Sequence, residues 1–181
     1  MTIELDAQKL SVQPTAGPRS TVSIGRPAFR VAVAGDAVAQ GFPIVVRRET
    51  LRDAQRARSL VRAGSHDQAN FVVALEVEVA VASDAASARA SAARAQVAAG
   101  GGSSNPAGGG SVTSVVGGST PAPGTIRYVG TTHGLLTLLR DIYAAEVADA
   151  VILVPIDGDA TERRIREQVL PVLEDQRYRV A

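Results

Sequence analysis

The stretch that decides the fold runs from Thr125 to Gln176 and reads TIRYVGTTHGLLTLLRDIYAAEVADAVILVPIDGDATERRIREQVLPVLEDQ. Its first part predicts a helix that begins after the threonine pair Thr131 and Thr132, because apolar residues then recur three and four positions apart. These apolar residues are Leu135, Leu138, Leu139, Ile142 and Tyr143. One face of this helix is therefore expected to be buried.

A strand and a second helix follow in the same stretch. Residues 151–154 are apolar on both faces, as in a parallel strand that lies beneath helices, and Pro155 ends the run. Residues 159–162, DATE, have the pattern of a capping box and predict the start of the second helix. Helix, strand and helix in this order indicate a layered α/β fold or a barrel.

Composition limits the classes of function. The 181 residues suit one domain, and the net charge of +1 gives no electrostatic argument for binding nucleic acid or an anionic membrane. The chain has no cysteine, which excludes disulfides and thiolate metal sites. The first residues lack the pattern of a signal peptide, and no window is apolar enough to cross a bilayer. We therefore expect a soluble cytoplasmic protein.

The upstream half alternates strand and helix patterns. Residues 21–24 predict a short strand, and residues 27–34 fit either a strand or a first helical turn. A further strand is expected within residues 37–46, best supported by Pro43 to Val46. Thr50 then begins an amphipathic helix that Gly64 should end.

The clearest strand pattern covers residues 71–82, where every second residue is Phe, Val or Leu. Ser83 and Asp84 cap an alanine-rich helix that runs to about Ala99. Residues 100–124 are rich in glycine, serine and proline and predict a flexible insertion. We expect a single domain, residues 1–181, with four mainly parallel strands that form either an open sheet or half of an eight-stranded barrel.

Several short strings, in this order, resemble the C-terminal half of the bacterial luciferase-like flavin monooxygenases, closest to the nitrilotriacetate and dibenzothiophene-sulfone monooxygenase branch. YVGT at residues 128–131 is similar to the family's VGT, and VADAVILVP at 147–155 to its GADGFVLVP. VLPVL at 169–173 resembles VVPELQ, and it includes a proline inside a helical pattern. Upstream, AGDAV at 34–38 resembles HADVV, and VALEV at 73–77 resembles the seventh strand.

The resemblance implies a half-length (βα) barrel-like domain that corresponds to strands five to eight. The family's first four strands, which supply much of its flavin and substrate site, have no counterpart here. It further implies a flavin-dependent monooxygenase or other oxidoreductase that binds FMN or the deazaflavin F420 and no metal. A second copy, or a separate N-terminal half-barrel subunit, would have to complete the barrel, and activity of this chain alone is left open.

The residues that the resemblance assigns to the flavin phosphate lie at two turns. The family's GSPAG turn corresponds here to Gly25-Arg26-Pro27-Ala28-Phe29, in which the serine and the second glycine are missing. Arg26 is then the expected cation for the phosphate. The other turn is the helix start at Gly130, Thr131 and Thr132.

Other polar residues have simpler interpretations beside the functional ones. Glu76 and Glu78 share a strand face and are either an acid/base pair or part of a solvated or partner-facing strand. His133 lies in a first helical turn without a paired base, and His66 lies in a polar turn. The last candidates, Asp157 and Asp159, flank Gly158 after the last strand, where helix capping explains Asp159 without a metal.

Three classes of function remain. The first is a subunit of a flavin-dependent oxidoreductase, and the second is a non-catalytic structural or interaction protein that retains the fold. The third, a nucleotide-binding open sheet, is disfavoured because no G-x-G-x-x-G run follows a strand.

Overall fold

The computed structural model of the chain describes residues 21–24, 28–64, 72–100 and 124–179. The elements in these ranges are β1 (Thr21–Ile24), β2 (Phe29–Val33), α1 (Ala37–Gln40), β3 (Ile44–Val46), α2 (Leu51–Ala63), β4 (Val73–Ala82), α3 (Ala85–Gly100), β5 (Ile126–Thr131), α4 (Thr132–Ala144), β6 (Ala150–Pro155), α5 (Asp159–Arg164), a π-helical turn (Ile165–Val169) and α6 (Leu170–Arg179). None of the helices in these ranges is both long and apolar enough to cross a bilayer.

The six described strands form one mainly parallel sheet. Parallel pairing was predicted, whereas the predicted number of four strands was wrong. β6 lies at its centre, between β2 and β4, and pairs with both in parallel. The other edge of β4 is shared, since β3 pairs with its first residues and β5 with its last six. β1 pairs with β2 antiparallel and extends the sheet on that side. The α/β class with parallel strands is therefore confirmed.

The order of the strands agrees only in part with a run of consecutive barrel strands. The pairs β3–β4 and β4–β5 are present, whereas β6 pairs with β4 and β2 and not with β5. The first parallel strand, β2, departs from the expected sequence because it pairs with β6 instead of β3. Val31 and Val33 lie opposite Val151 and Leu153 of β6, in the same core.

The larger hydrophobic core lies on one face of the sheet, which we call the first face. Three helices, α2, α4 and α6 with the π turn before it, pack on this face. Leu135, Leu139 and Ile142 of α4 are fully buried there, which confirms the predicted apolar helix face. Phe29 and Tyr143 contribute an aromatic pair whose ring centroids are 5.7 Å apart.

The second face is lined by small side chains and carries charges toward the β3 and β5 edge. Ala32, Ala74, Ala150 and Ile152 are buried beneath two residues of the α1 region, Ala39 and Phe42. Glu76 and Glu78 of β4 lie farther along this face. The single turn of α1 is thus the part of the chain that covers the alanine-rich area of the sheet.

Three of the predicted helix starts are confirmed, including the one at Asp84, which accepts a hydrogen bond from the Ser87 backbone N–H, and one was wrong. Thr50 accepts a hydrogen bond from the Asp53 backbone N–H, and Thr131 accepts one from the Gly134 backbone N–H. Asp159, predicted as the cap of its helix, instead lies inside the first turn, and Gly158 occupies the N-cap position without a side-chain bond. The φ angle of 82° at Gly158 explains the difference, because glycine adopts this conformation readily and aspartate does not.

The last helix contains a π turn that accommodates Pro171. The backbone N–H of Leu170 bonds the carbonyl of Ile165, five residues back instead of four. A proline at the next position has no N–H, and its ring would press against the carbonyl four residues back in a regular helix. The wider turn relieves this contact and leaves Val169, Leu170 and Leu173 in the core.

Candidate functional site at the carboxyl edge of the sheet

Sites in parallel α/β folds lie at the carboxyl ends of the strands, especially where neighbouring strands lead to opposite faces. β2 and β6 meet this condition. The chain leaves β2 toward the second face, where Ala39 and Phe42 pack, and it leaves β6 toward the first face, where Ile165 and Val169 pack. The candidate site is therefore the carboxyl edge of β2, β6, β4 and β5.

An ion cluster joins the two diverging connections. Arg166 donates two hydrogen bonds to the Asp36 carboxylate, at 2.9 and 3.3 Å. The same guanidinium donates to Glu162, at 2.8 and 2.9 Å. The hydrogen bond to Asp36 is the main reason that the pKa of Arg166 is raised above its ordinary value. Two carboxylates around one guanidinium leave this cluster with a net negative charge.

Two further polar contacts lie on the same edge. Ser91 of α3 donates a hydrogen bond of 2.5 Å to Asp157, after β6. The hydroxyl of Thr161, which is fully buried, accepts from the backbone N–H of Val81 and donates to its carbonyl. These contacts join α3 and α5 to the ends of β4 and β6, and they supply neither a nucleophile with a base nor an anion site.

The helix start at Gly130, Thr131 and Thr132 lies at the end of β5, on the same edge. The Thr131 hydroxyl accepts the Gly134 N–H at 3.3 Å, so one of the free donors of the first turn is satisfied internally. The Thr132 hydroxyl donates to the side-chain oxygen of Gln168, at 3.0 Å. Both hydroxyls that the resemblance assigned to a phosphate are thus engaged within the chain.

Tyr128 fills the space in front of this helix start. Its hydroxyl donates to the backbone carbonyl of Thr131, at 2.8 Å. A Cβ atom placed on Gly130 would lie 2.6 Å from that hydroxyl, and one on Gly134 would overlap it. Burial raises the pKa of Tyr128, and its hydrogen bonds with Thr131 partly oppose this effect. The ring is therefore packed tightly over both glycines.

These three residues do not fit a flavin phosphate as they are arranged. A phosphate needs free N–H or hydroxyl donors and a nearby cation. Here the threonine hydroxyls are engaged and the Tyr128 ring covers the turn. The other two predicted residues, Gly25 and Arg26, lie outside the described residues, as does His66. His133 is exposed in the first turn of α4.

Glu76 and Glu78 each face an arginine of a neighbouring strand or its extension. Arg47, which follows β3, forms two hydrogen bonds of 2.8 Å with Glu76. Arg127 of β5 lies directly opposite Glu78 and bonds it at 2.9 Å. Such cross-strand pairs are the arrangement of a partly solvated sheet face, so the interpretation as an acid/base pair is not supported.

Asp157 and Asp159 do not gather a metal site around them. Within the ranges that the structure describes, no three histidine, aspartate or glutamate side chains are grouped so that they could hold an ion. A shallow depression of about 390 Å³ lies elsewhere, along α2. Arg48, Glu49, Asp53, Arg56, Ala57, Leu60 and Gly124 line this depression.

The sequence reasoning missed Arg166 and Tyr128. Arg166 is one of several arginines in its helix, and only the π turn directs it toward Asp36, 130 positions earlier in the chain. Pro171 was the one available signal for that turn. Tyr128 looks like an ordinary strand residue in the sequence. Its position two residues before Gly130 is the signal that its ring could pack over that glycine.

Comparisons with known proteins add no relative. A scan of the chain against protein-family models and a search of curated proteins both find no match.

Proposed function

We propose that this chain is a luciferase-like (βα) subunit, related to the flavin-dependent monooxygenases, that a partner must complete. The order of the sequence motifs supports the family, and the arrangement of the sheet supports the incomplete barrel. The chain contributes one part of a carboxyl edge at which a flavin, FMN or F420, would be bound.

The single observation that carries the proposal is the placement of the helices. Three helices, α2, α4 and α6, pack on one face of the parallel sheet, whereas α1 packs on the other. In a (βα) barrel the helices lie outside a ring of parallel strands, and α2, α4 and α6 have this arrangement.

The proposed flavin contact rests on the turn at Gly25 and Arg26. Because the hydroxyls of Thr131 and Thr132 are engaged, Arg26 is the group that would supply the charge. No catalytic residue is proposed, since the described part of the carboxyl edge holds no nucleophile with an adjacent base.

A partner is proposed because the sheet is unfinished at the edge formed by β3 and β5. Neither strand has a neighbour on its outer side within the described residues. An exposed edge of this kind is normally paired or covered. A second copy or a separate half-barrel subunit would supply the missing strands. Size-exclusion chromatography that finds only a monomer at micromolar concentration, with or without such a subunit, would contradict this part of the proposal.

The experiment that tests the flavin assignment is a fluorescence titration of FMN and of F420 with the purified chain. We expect saturable quenching by one of them, and weaker binding in Arg26→Ala. Arg47→Ala is the matched control, because Arg47 bonds Glu76 on the second face and is not assigned to the flavin. The absence of quenching for both cofactors would refute a flavin role for this chain.

A second candidate is a non-catalytic interaction protein that retains the fold. The position of Tyr128 favours it, since the ring occupies the helix start that the family would use for a phosphate. The same titration separates the two candidates. Under this alternative, Tyr128→Ala would leave flavin binding undetectable, whereas under the first it would free the turn and strengthen binding.

A further inference from the structure

In the part of the chain that the structure describes, the segment that covers the alanine-rich area of the second sheet face is residues 35–42, which we call the α1 cover. Ala39 and Phe42 of the cover are each 7% exposed and pack on Ala32, Ala74, Ala150 and Ile152. Three of these sheet residues, Ala32, Ala74 and Ala150, are fully buried. An area that an incomplete barrel would leave open is thus closed by the chain itself.

The cover is short and has glycines near both ends. Its helix, α1, is a single turn of four residues in which only Ala39 is buried, and Val38 faces outward at 39% exposure. Gly35 has a φ angle of 93°, a conformation that glycine adopts without strain. Gly41 ends the turn. So small a buried area gives the segment little stability of its own.

An ion pair holds the first residues of the cover. Asp36, which precedes α1, is 12% exposed and receives two hydrogen bonds from Arg166 of the π turn. Arg166 is itself oriented by Glu162 on the other side. The guanidinium therefore links the cover, on the second face, to the helix that packs on the first.

We propose that residues 35–42 form a hinged cover over the second sheet face, and that the Asp36–Arg166 pair keeps it closed. Opening exposes Ile152 and the alanines around it without unfolding the sheet. The proposal rests on the proposed function in one respect, because this face is the one that would line the completed barrel. The cover then closes the face while the subunit is alone.

Hydrogen–deuterium exchange of the intact chain, read by mass spectrometry, tests the proposal. Arg166→Gln should raise the exchange rate of the amides at 36–42 about fivefold to tenfold, because it removes the ion pair that favours the closed position of the cover. Amides of β4 should keep their wild-type rates. Asp36→Asn breaks the same pair from the cover side and should give the same pattern, which guards against a folding defect specific to Arg166→Gln.

The matched control is Arg47→Gln, which removes another arginine–carboxylate pair beside the same sheet face and should leave residues 36–42 unchanged. Unaltered exchange at 36–42 in both Arg166→Gln and Asp36→Asn would overturn the proposal. An equal increase in the cover and in β4 would overturn it as well, since the pair would then act on global stability. The exchange needs neither flavin nor partner, so its failure is distinct from a failure of the proposed function.

Discussion

At the scale of single residues, Tyr128 and two glycines form a unit that local rules would not predict. Glycine in a helical turn is usually less stable than alanine, because it loses more conformational freedom on folding. Gly134 is different, since the Tyr128 hydroxyl occupies the place where its Cβ would be. A packing contact, and not the backbone conformation, therefore explains why position 134 is glycine.

Gly134→Ala should consequently destabilise the protein. Tyr128 must rotate away and lose its hydrogen bond to the Thr131 carbonyl, which we expect to cost about 1 kcal/mol of unfolding free energy. Urea denaturation followed by circular dichroism measures the change. In the Tyr128→Ala background the same replacement should be neutral or stabilising.

Gly64→Ala is the matched control for this prediction. Gly64 ends α2 with φ of −86°, and the nearest atom to an added Cβ lies 3.7 Å away. Alanine should change the unfolding free energy there by about 0.5 kcal/mol or less. Equal losses at positions 64 and 134 would show that the Tyr128 contact has no special role.

Asp84 gives a prediction for acid stability. Its carboxylate accepts hydrogen bonds from the backbone N–H and the hydroxyl of Ser87, and the backbone bond is the main reason that its pKa is lowered. Because the pKa of Asp84 is lower in the folded protein than its unfolded value of 3.8, the ionised carboxylate stabilises the fold when the pH is above 3.8. This contribution is lost as the pH falls through the folded pKa.

Asp84→Asn should therefore lower the urea midpoint at about pH 7, and the difference from the wild type should shrink below about pH 3. Asparagine retains the shape of an N-cap and lacks the charge, which makes it the appropriate replacement. A difference that stays constant across this range would mean that the charge of Asp84 does not stabilise α3.

At the scale of the elements, an ion cluster at the amino ends of the strands joins α2 to β6. Asp149 receives hydrogen bonds from Arg58, at 3.0 Å, and from Arg62, at 2.7 Å. Its other oxygen accepts the backbone N–H of Val73, at the first residue of β4. Asp149 and Arg58 are each only 12% exposed, so solvent screens this contact weakly.

Asp149→Ala should cost about 2–3 kcal/mol of unfolding free energy, because it leaves two arginines without their shared carboxylate in a shielded place. Glu76→Ala removes a more exposed pair with Arg47 and should cost about 1 kcal/mol or less. Chemical denaturation of both variants makes the comparison. A smaller loss for Asp149→Ala than for Glu76→Ala would contradict the structural role of this cluster.

Sequence patterns predicted those elements whose signal is local. The apolar periodicity of α4, the cap at Thr50 and the alternation along β4 each lie within a dozen residues of the chain. β5 was missed because Arg127, Gly130 and Thr131 give it no clear alternation, and its stability comes from pairing with the distant strand β4. The π turn was missed for a similar reason, since it arises where Pro171 must fit into a helix while the residues around it stay buried in the core.

At the scale of the whole molecule, the pairing of the strands and the packing around the candidate site depend on contacts between distant parts of the chain. Strand patterns do not specify which strands become neighbours, so the pairing of β2 with β6 was outside the reach of local rules. The sequence likewise predicted only part of the candidate site. The position of Thr131 at a helix start was predicted, whereas its engagement with Gly134 and the position of the Tyr128 ring depend on packing.

The most direct test of the central claim compares FMN with riboflavin, which lacks the phosphate, in equilibrium binding to the purified chain. A flavin subunit with a phosphate contact at Arg26 should bind FMN about tenfold more tightly than riboflavin, a difference of about 1.4 kcal/mol. Arg26→Ala should remove this preference. Equal binding of the two compounds, or no binding of either, would contradict the claim.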